Sequence, residues 1–260
     1  MTSTTPLDLA PRPGSAPLGS MLRAQAGMEL KLMLRNGEQV LLTLVIPLLL
    51  LVMGTKADQV VDLGPGRTID IIAPGVLALA VLSTSFTSLA ISTGFDRRYG
   101  VLKRLGASPL PRSVLLLGKV GAVAAVEAIQ LAVLVPTALA LGWRPDGGAV
   151  AWVWALALVV AGTAAFGSLG LLIAGTLRAE ATLAVANLVY VLLLVGGGLM
   201  VPLSRYPEAG RHVMELVPSG ALGEGLREAF AGGSALAALA VLVGWSLVAG
   251  LATVRTFKWE

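Results

Sequence analysis

The stretches Ile71 to Thr93, Val150 to Thr176, Ala181 to Val201 and Ser234 to Val254 each run without a charged side chain. At 1.5 Å per residue, a helix of about twenty residues crosses a hydrocarbon core of about 30 Å. In lipid every backbone N–H and C=O must be paired within the protein, so such runs fold as helices rather than open strands. Val120 to Leu141 repeats the pattern around one acid, Glu127, and Val40 to Gly54 gives a shorter version that extends upstream to Glu38. The expected fold is all-α: a polytopic membrane protein with six transmembrane helices at about 38–54, 71–93, 120–141, 150–176, 181–201 and 234–254. A content of 56% hydrophobic against 13% charged residues, with a mean hydropathy of +0.83, excludes an ordinary soluble domain.

Upstream, residues 1–20 carry Pro6, Pro11, Pro13 and Pro17 and no apolar core of a signal peptide, and read as a disordered tail. Met21 to Gln39 mixes Arg23, Lys31 and Arg35 with Met21, Met28 and Leu32, as a helix lying at the membrane surface would. Six spans put both termini on one side, where thirteen of the nineteen Lys and Arg then fall. The positive-inside bias makes that side the cytoplasm. Absence of cysteine excludes disulfides and thiolate sites, and a single histidine, His212, excludes a multi-histidine metal centre within one chain. No nucleic-acid motif or row of stacking aromatics is present, so the basic surplus points to anionic lipid or an acidic partner.

One strongly charged segment interrupts the apolar ones: Phe95 to Lys119, FDRRYGVLKRLGASPLPRSVLLLGK, with six basic residues against Asp96. Phe95, Tyr99 and Leu102 recur at helical spacing with Leu105 following, which predicts a rod about 18 Å long with one apolar and one cationic face. Gly106 and Pro109 would end it. Read from charge alone, the segment is a solvated loop.

Glu127 lies inside the third span, one turn from Gln130. A carboxylate there costs roughly 3 kcal/mol on insertion scales unless it faces protein, water or a partner, or carries a proton. It either lines a polar passage or contacts a cationic or hydroxylated substrate, or is a neutral acid bonded to Gln130 or a neighbouring helix. The second span carries Ser83, Thr84, Ser85, Thr87, Ser88, Ser92 and Thr93, and the fifth Asn187 and Tyr190. From these we take Ser85, Ser88, Ser92, Glu127, Gln130, Asn187 and Tyr190 as the candidate polar path, although hydroxyls also bond back to their own helix. Gly121 with Ala125, and Ala124 with Ala128, suit close helix crossing. Residues 202–233 predict a helical hairpin resting on the outer face. Ser219 would cap its second helix, with Leu222, Leu226 and Phe230 on one side and Glu224, Arg227 and Glu228 on the other. Enzyme motifs are missing: Ser113 stands where a P-loop before Gly118-Lys119 needs glycine, and no HExxH occurs.

Three pieces of this sequence resemble the ABC-2 type permeases, in particular short bacterial drug- and antibiotic-export permeases similar to the daunorubicin exporter's membrane subunit. They are LRNGEQVLLTLVIPLLL with Pro47 inside its span, the Phe95 to Lys119 segment, and GGGLMVPLSRYPEAGRHVMELVPSGALGEGLRE. Ser219 and Ala221 depart from what the family shows after Pro218. The resemblance implies one transmembrane domain over 21–260 in the bacterial cytoplasmic membrane, paired as a homodimer or heterodimer. It also implies two copies of a separate ATPase, which hold the ATP and Mg while this chain binds no cofactor, metal or nucleic acid. It implies that loop 94–119 docks on that ATPase through Phe95, Asp96, Arg97, Arg98, Tyr99, Gly100, Leu102, Leu105, Ser108 and Pro109. The second and fifth spans would line the path, with Pro218, Leu222 and Arg227 in an outer gate. The expected cargo is hydrophobic or amphipathic; export of a polysaccharide or glycolipid, or a non-transport role as an assembly factor, are the alternatives.

Overall fold

The computed structural model describes residues 16–37, 41–56, 67–107 and 110–257. Its order is α1 (Leu18–Arg35), a π-helical turn (Leu41–Val45) running into α2 (Ile46–Gly54), α3 (Thr68–Arg98), α4 (Val101–Gly106), α5 (Arg112–Ala140), α6 (Gly148–Thr176), α7 (Ala179–Gly196), α8 (Glu208–Glu215), α9 (Pro218–Phe230) and α10 (Leu236–Thr256). Among the described residues there is no strand, only an isolated bridge between Asp146 and Ala231.

Five helices, α3, α5, α6, α7 and α10, are long and apolar enough to cross a membrane. The expected first span is represented by a shorter apolar helix, Thr43–Gly54, and its lead-in at 38–40 lies outside the described residues. The expected disordered tail also lies largely outside them. Spans two, three and four are longer than expected because flanking residues continue each helix. Thr68 to Asp70 open α3 and Arg97 and Arg98 close it, Arg112 opens α5, and Gly148 opens α6.

The bundle is built around α3. A helix apolar all round is a buried one, and Ala73, Val76, Ala78, Val81, Leu82, Phe86 and Ala90 of α3 are wholly out of solvent. Small residues allow neighbours to close on it: a Cβ on Gly75 would collide with the Leu199 carbonyl, and one on Gly170 would press on the Phe86 carbonyl at 2.8 Å. On the other side, α1 packs along α5, where Gly118 faces Gln25 and Gly121 faces Ala26. Thus Gly121 sits in a close crossing, whereas Ala124 and Ala128 are exposed.

Two expectations are corrected. Phe95 to Leu105 is not one rod. Its first turn is the end of α3, and the chain breaks at Gly100, whose φ of +66° suits glycine, before the short α4. After that break Leu102 points inward, 1% exposed, while Tyr99 is 65% exposed, so the two share no docking face. Ser108 and Pro109 lie outside the described residues. Nor does the hairpin rest on the surface: α9 is inserted against α3, α6 and α10, with Leu222, Leu226 and Phe230 buried. Ser219 is not its cap. Val217 takes that position, Pro218 opens the helix, and Ser219 is buried in the first turn.

Candidate functional site

Alongside the buried face of α3 runs an open cavity of about 630 Å³, between α3, α2, α7 and the end of α1. Its position comes from a local irregularity. Residues Ser83–Ser88 of α3 are π-helical, and the extra residue per turn shifts the register of the helix beyond them. Leu79, Ser83, Thr87, Ser88, Ile91, Ser92 and Phe95 consequently form one stripe on the cavity. Thr84, Ser85 and Phe86 turn the other way and are wholly buried. Asn187 and Tyr190 of α7 face the stripe, and Thr43, Ile46, Pro47 and Asn36 complete the wall. Among the described residues the lining is amphipathic and contains no charged side chain.

Four candidate path residues, Ser88, Ser92, Asn187 and Tyr190, are therefore on the cavity, and Ser85, Glu127 and Gln130 are inside the bundle. Ser85 donates to the Val81 carbonyl at 2.5 Å. Gln130 accepts from Thr84 (2.9 Å) and donates to the Thr43 carbonyl (2.6 Å), tying α3 and α5 to the turn before α2. Glu127 is bonded not to Gln130 but across to Thr163 of α6, at 2.6 Å. Sequence reasoning missed Asn36 and Thr43. The Arg-Asn pair before an apolar run hints at the first, but nothing local marks the second.

At one end of α3, three consecutive residues reach three different elements. Asp96 meets the Lys119 ammonium at 2.5 Å, and Glu29 of α1 reaches the same ammonium at 3.0 Å. Arg97 donates to the carbonyls of Ala174 and Leu177, which the last turn of α6 leaves without intrahelical partners. Arg98 pairs with Glu180 of α7 at 2.7 Å. Most of the charge expected on a docking face is thus used to fasten α1, α5, α6 and α7 to α3. Tyr99, stacked on Phe95 at 6.1 Å, and the exposed Lys103 and Arg104 are left facing outward.

At the opposite end, Arg227 of α9 is the connector. It donates to the carbonyls of Leu199 (2.7 Å) and Ile71 (3.3 Å) and pairs with Glu224 (2.8 Å), which in turn accepts from the Leu203 amide. Pro218 and Leu222 are buried on the same helix. Trp143, Trp152 and Phe230 form an edge-to-face cluster that locks the turn after α5 onto α9, assisted by the Asp146 amide donating to the Phe230 carbonyl. Arg67 bridges Asp70 and the Gly142 carbonyl, and its bond to Asp70 raises the guanidinium pKa above its ordinary value. Among the described residues no cluster of His, Asp or Glu is arranged to hold a metal ion.

This arrangement of a buried α3, an amphipathic side cavity and an inserted helical hairpin is accompanied by a sequence match over most of the chain. The family model described as ABC-2 type transporter matches residues 22–231. The chain belongs to that family. A relative of this ABC-2 protein is "Putative transport permease YvfS" of Bacillus subtilis (strain 168), 24% identical over 225 residues that cover 83% of this chain and 87% of the relative. The ABC-2 chain is accordingly a multi-pass membrane protein of the transport permease class, and both the charged end of α3 and the inserted hairpin fall inside the matched region.

Proposed function

We propose that this chain is the membrane subunit of an ATP-driven exporter in the bacterial cytoplasmic membrane, carrying uncharged amphipathic molecules along the α3–α7 cavity. The observation that carries this reading is the cavity wall. About 630 Å³ is the size of a site for a drug-sized ligand, and the wall sets a row of hydroxyls and amides against Ile46, Pro47, Leu79 and Ile91. A fixed charge buried on this wall finds no counter-ion among the described lining residues, whereas hydroxyl and carbonyl groups of a neutral amphiphile find partners in Ser88, Ser92 and Asn187.

In this reading six spans, the first including Thr43–Gly54, leave both termini in the cytoplasm, and two permease copies assemble with two ATPase subunits. The motor presses on the outward residues around the Gly100 break: Tyr99, Lys103 and Arg104. Because Asp96, Arg97 and Arg98 fasten the end of α3 to α1, α5, α6 and α7, a push there moves those helices as a body rather than bending one loop. The gate residues Pro218, Leu222 and Arg227 lie at the far end of the same α3.

The test is reconstitution with the co-purifying ATPase in proteoliposomes. Neutral amphiphiles should stimulate ATP hydrolysis more than their quaternary ammonium analogues, and Ser92→Leu with Asn187→Leu should abolish that stimulation while basal hydrolysis persists. Equal stimulation by the permanently charged analogues, or none lost in the double variant, refutes the assignment of the cavity.

A further inference from the structure

The carboxyl group of Glu127 is buried in the middle of α5, 3% exposed, and takes no part in the cavity wall. The donors and acceptors around it can be counted. The Thr163 hydroxyl has one hydrogen, yet its oxygen stands 2.6 Å from Glu127 Oε2 and 2.8 Å from the Val159 carbonyl oxygen. A carboxylate and a carbonyl are both acceptors, so with Glu127 ionised one of these contacts would set two acceptors against each other. Both are satisfied when the carboxyl donates to Thr163 and Thr163 donates to Val159. Among the described residues no group meets the second oxygen, Oε1, in hydrogen-bond geometry, although the Ser85 hydroxyl faces the same carboxyl. An orphaned neutral C=O is tolerable there, but half of a negative charge is not.

Among the described residues no cation faces this carboxyl. The polar side chain facing from α3 is Ser85, whose own hydrogen goes to the Val81 carbonyl, and from α6 it is Thr163. On α5 itself Gln130 is committed to Thr84 and Thr43. None of the ion pairs among the described residues includes Glu127.

We propose that Glu127 is an intramembrane proton-binding site: a carboxylic acid that holds its proton at neutral pH, donates it to Thr163, and so ties α5 to α6 through that one side-chain bond. The ligand is a proton, and its binding is linked to packing. Any conformation that breaks the Glu127–Thr163 bond and admits water to Glu127 binds the proton more weakly, and by reciprocity loss of the proton favours that conformation. This inference does not depend on the cargo or on the ATPase.

Infrared difference spectroscopy of the full chain in lipid nanodiscs, with isotope-labelled glutamate, tests it. At neutral pH Glu127→Gln should remove a protonated-carboxyl C=O band, and Thr163→Val should move that band to higher frequency by removing its acceptor. Loss of a carboxylate signal instead, or a band indifferent to Thr163→Val, overturns the proposal. A second measurement needs no Glu127 variant. A hydrophobic carbodiimide takes the acid proton on nitrogen while a carboxyl oxygen bonds to its central carbon, and the adduct rearranges to an N-acylurea with nothing lost. Mass spectrometry of the treated wild type should find one reagent added to the peptide carrying Glu127. An unmodified peptide after prolonged treatment overturns it.

Discussion

Lys119 keeps its ammonium almost wholly out of water, with its charge balanced by Asp96 and Glu29, which both reach it. Removing one partner of such a cluster costs more than the cluster contributes, since the remaining charges are left buried together. Lys119→Met should therefore destabilise the protein by about 3 kcal/mol, the lower end of the usual range because Asp96 is still partly solvated. Combining it with Asp96→Asn and Glu29→Gln should restore most of the loss, as read by thermal unfolding in detergent. Sequence alone placed Lys119 at the start of a span and Asp96 in a basic loop. It gave no sign that the two meet, because the contact depends on how the end of α3 packs against α5.

The segment after α3 shows how one backbone feature overrides a side-chain pattern. Phe95, Tyr99 and Leu102 have helical spacing, but Gly100 in the left-handed region turns α4 so that Leu102 enters the interior while Tyr99 stays outside. Tyr99→Asp should leave folding intact and reduce substrate-stimulated ATP hydrolysis by the reconstituted complex several-fold. Leu102→Asp should instead lower the yield of folded protein, because it buries an unpaired carboxylate; size-exclusion profiles separate the two effects. Gly100→Ala should cost about 1 kcal/mol from its positive φ. In α3 itself the hydroxyl-rich run was legible as a patch, yet which hydroxyls face the cavity depends on the π-helical register of Ser83–Ser88. No local residue preference announces that register.

Across the whole molecule, α3 is enclosed while α7 and α10 turn broad apolar faces outward, with Leu188, Leu192 and Val195 on one and Leu247, Val248 and Leu251 on the other. Lipid or a second subunit takes the place of water against such faces. The chain contains no cysteine, so single cysteines at Lys103 and His212 report orientation cleanly. In intact cells a membrane-impermeant maleimide should label the second and not the first, and the reverse pattern would invert the proposed topology. Apolar run length is a local property and the cost of unpaired backbone in lipid is general, so the sequence by itself determined that the chain is helical, where its long helices lie and that their ends are basic. Tertiary structure decided which face of α3 is buried, that Asp96, Arg97 and Arg98 fasten helices together, that α9 enters the bundle, and that Glu127 meets Thr163 rather than Gln130. Those outcomes depend on the direction each side chain takes once helices distant in sequence are packed, and hydrophobic pattern carries no record of that direction.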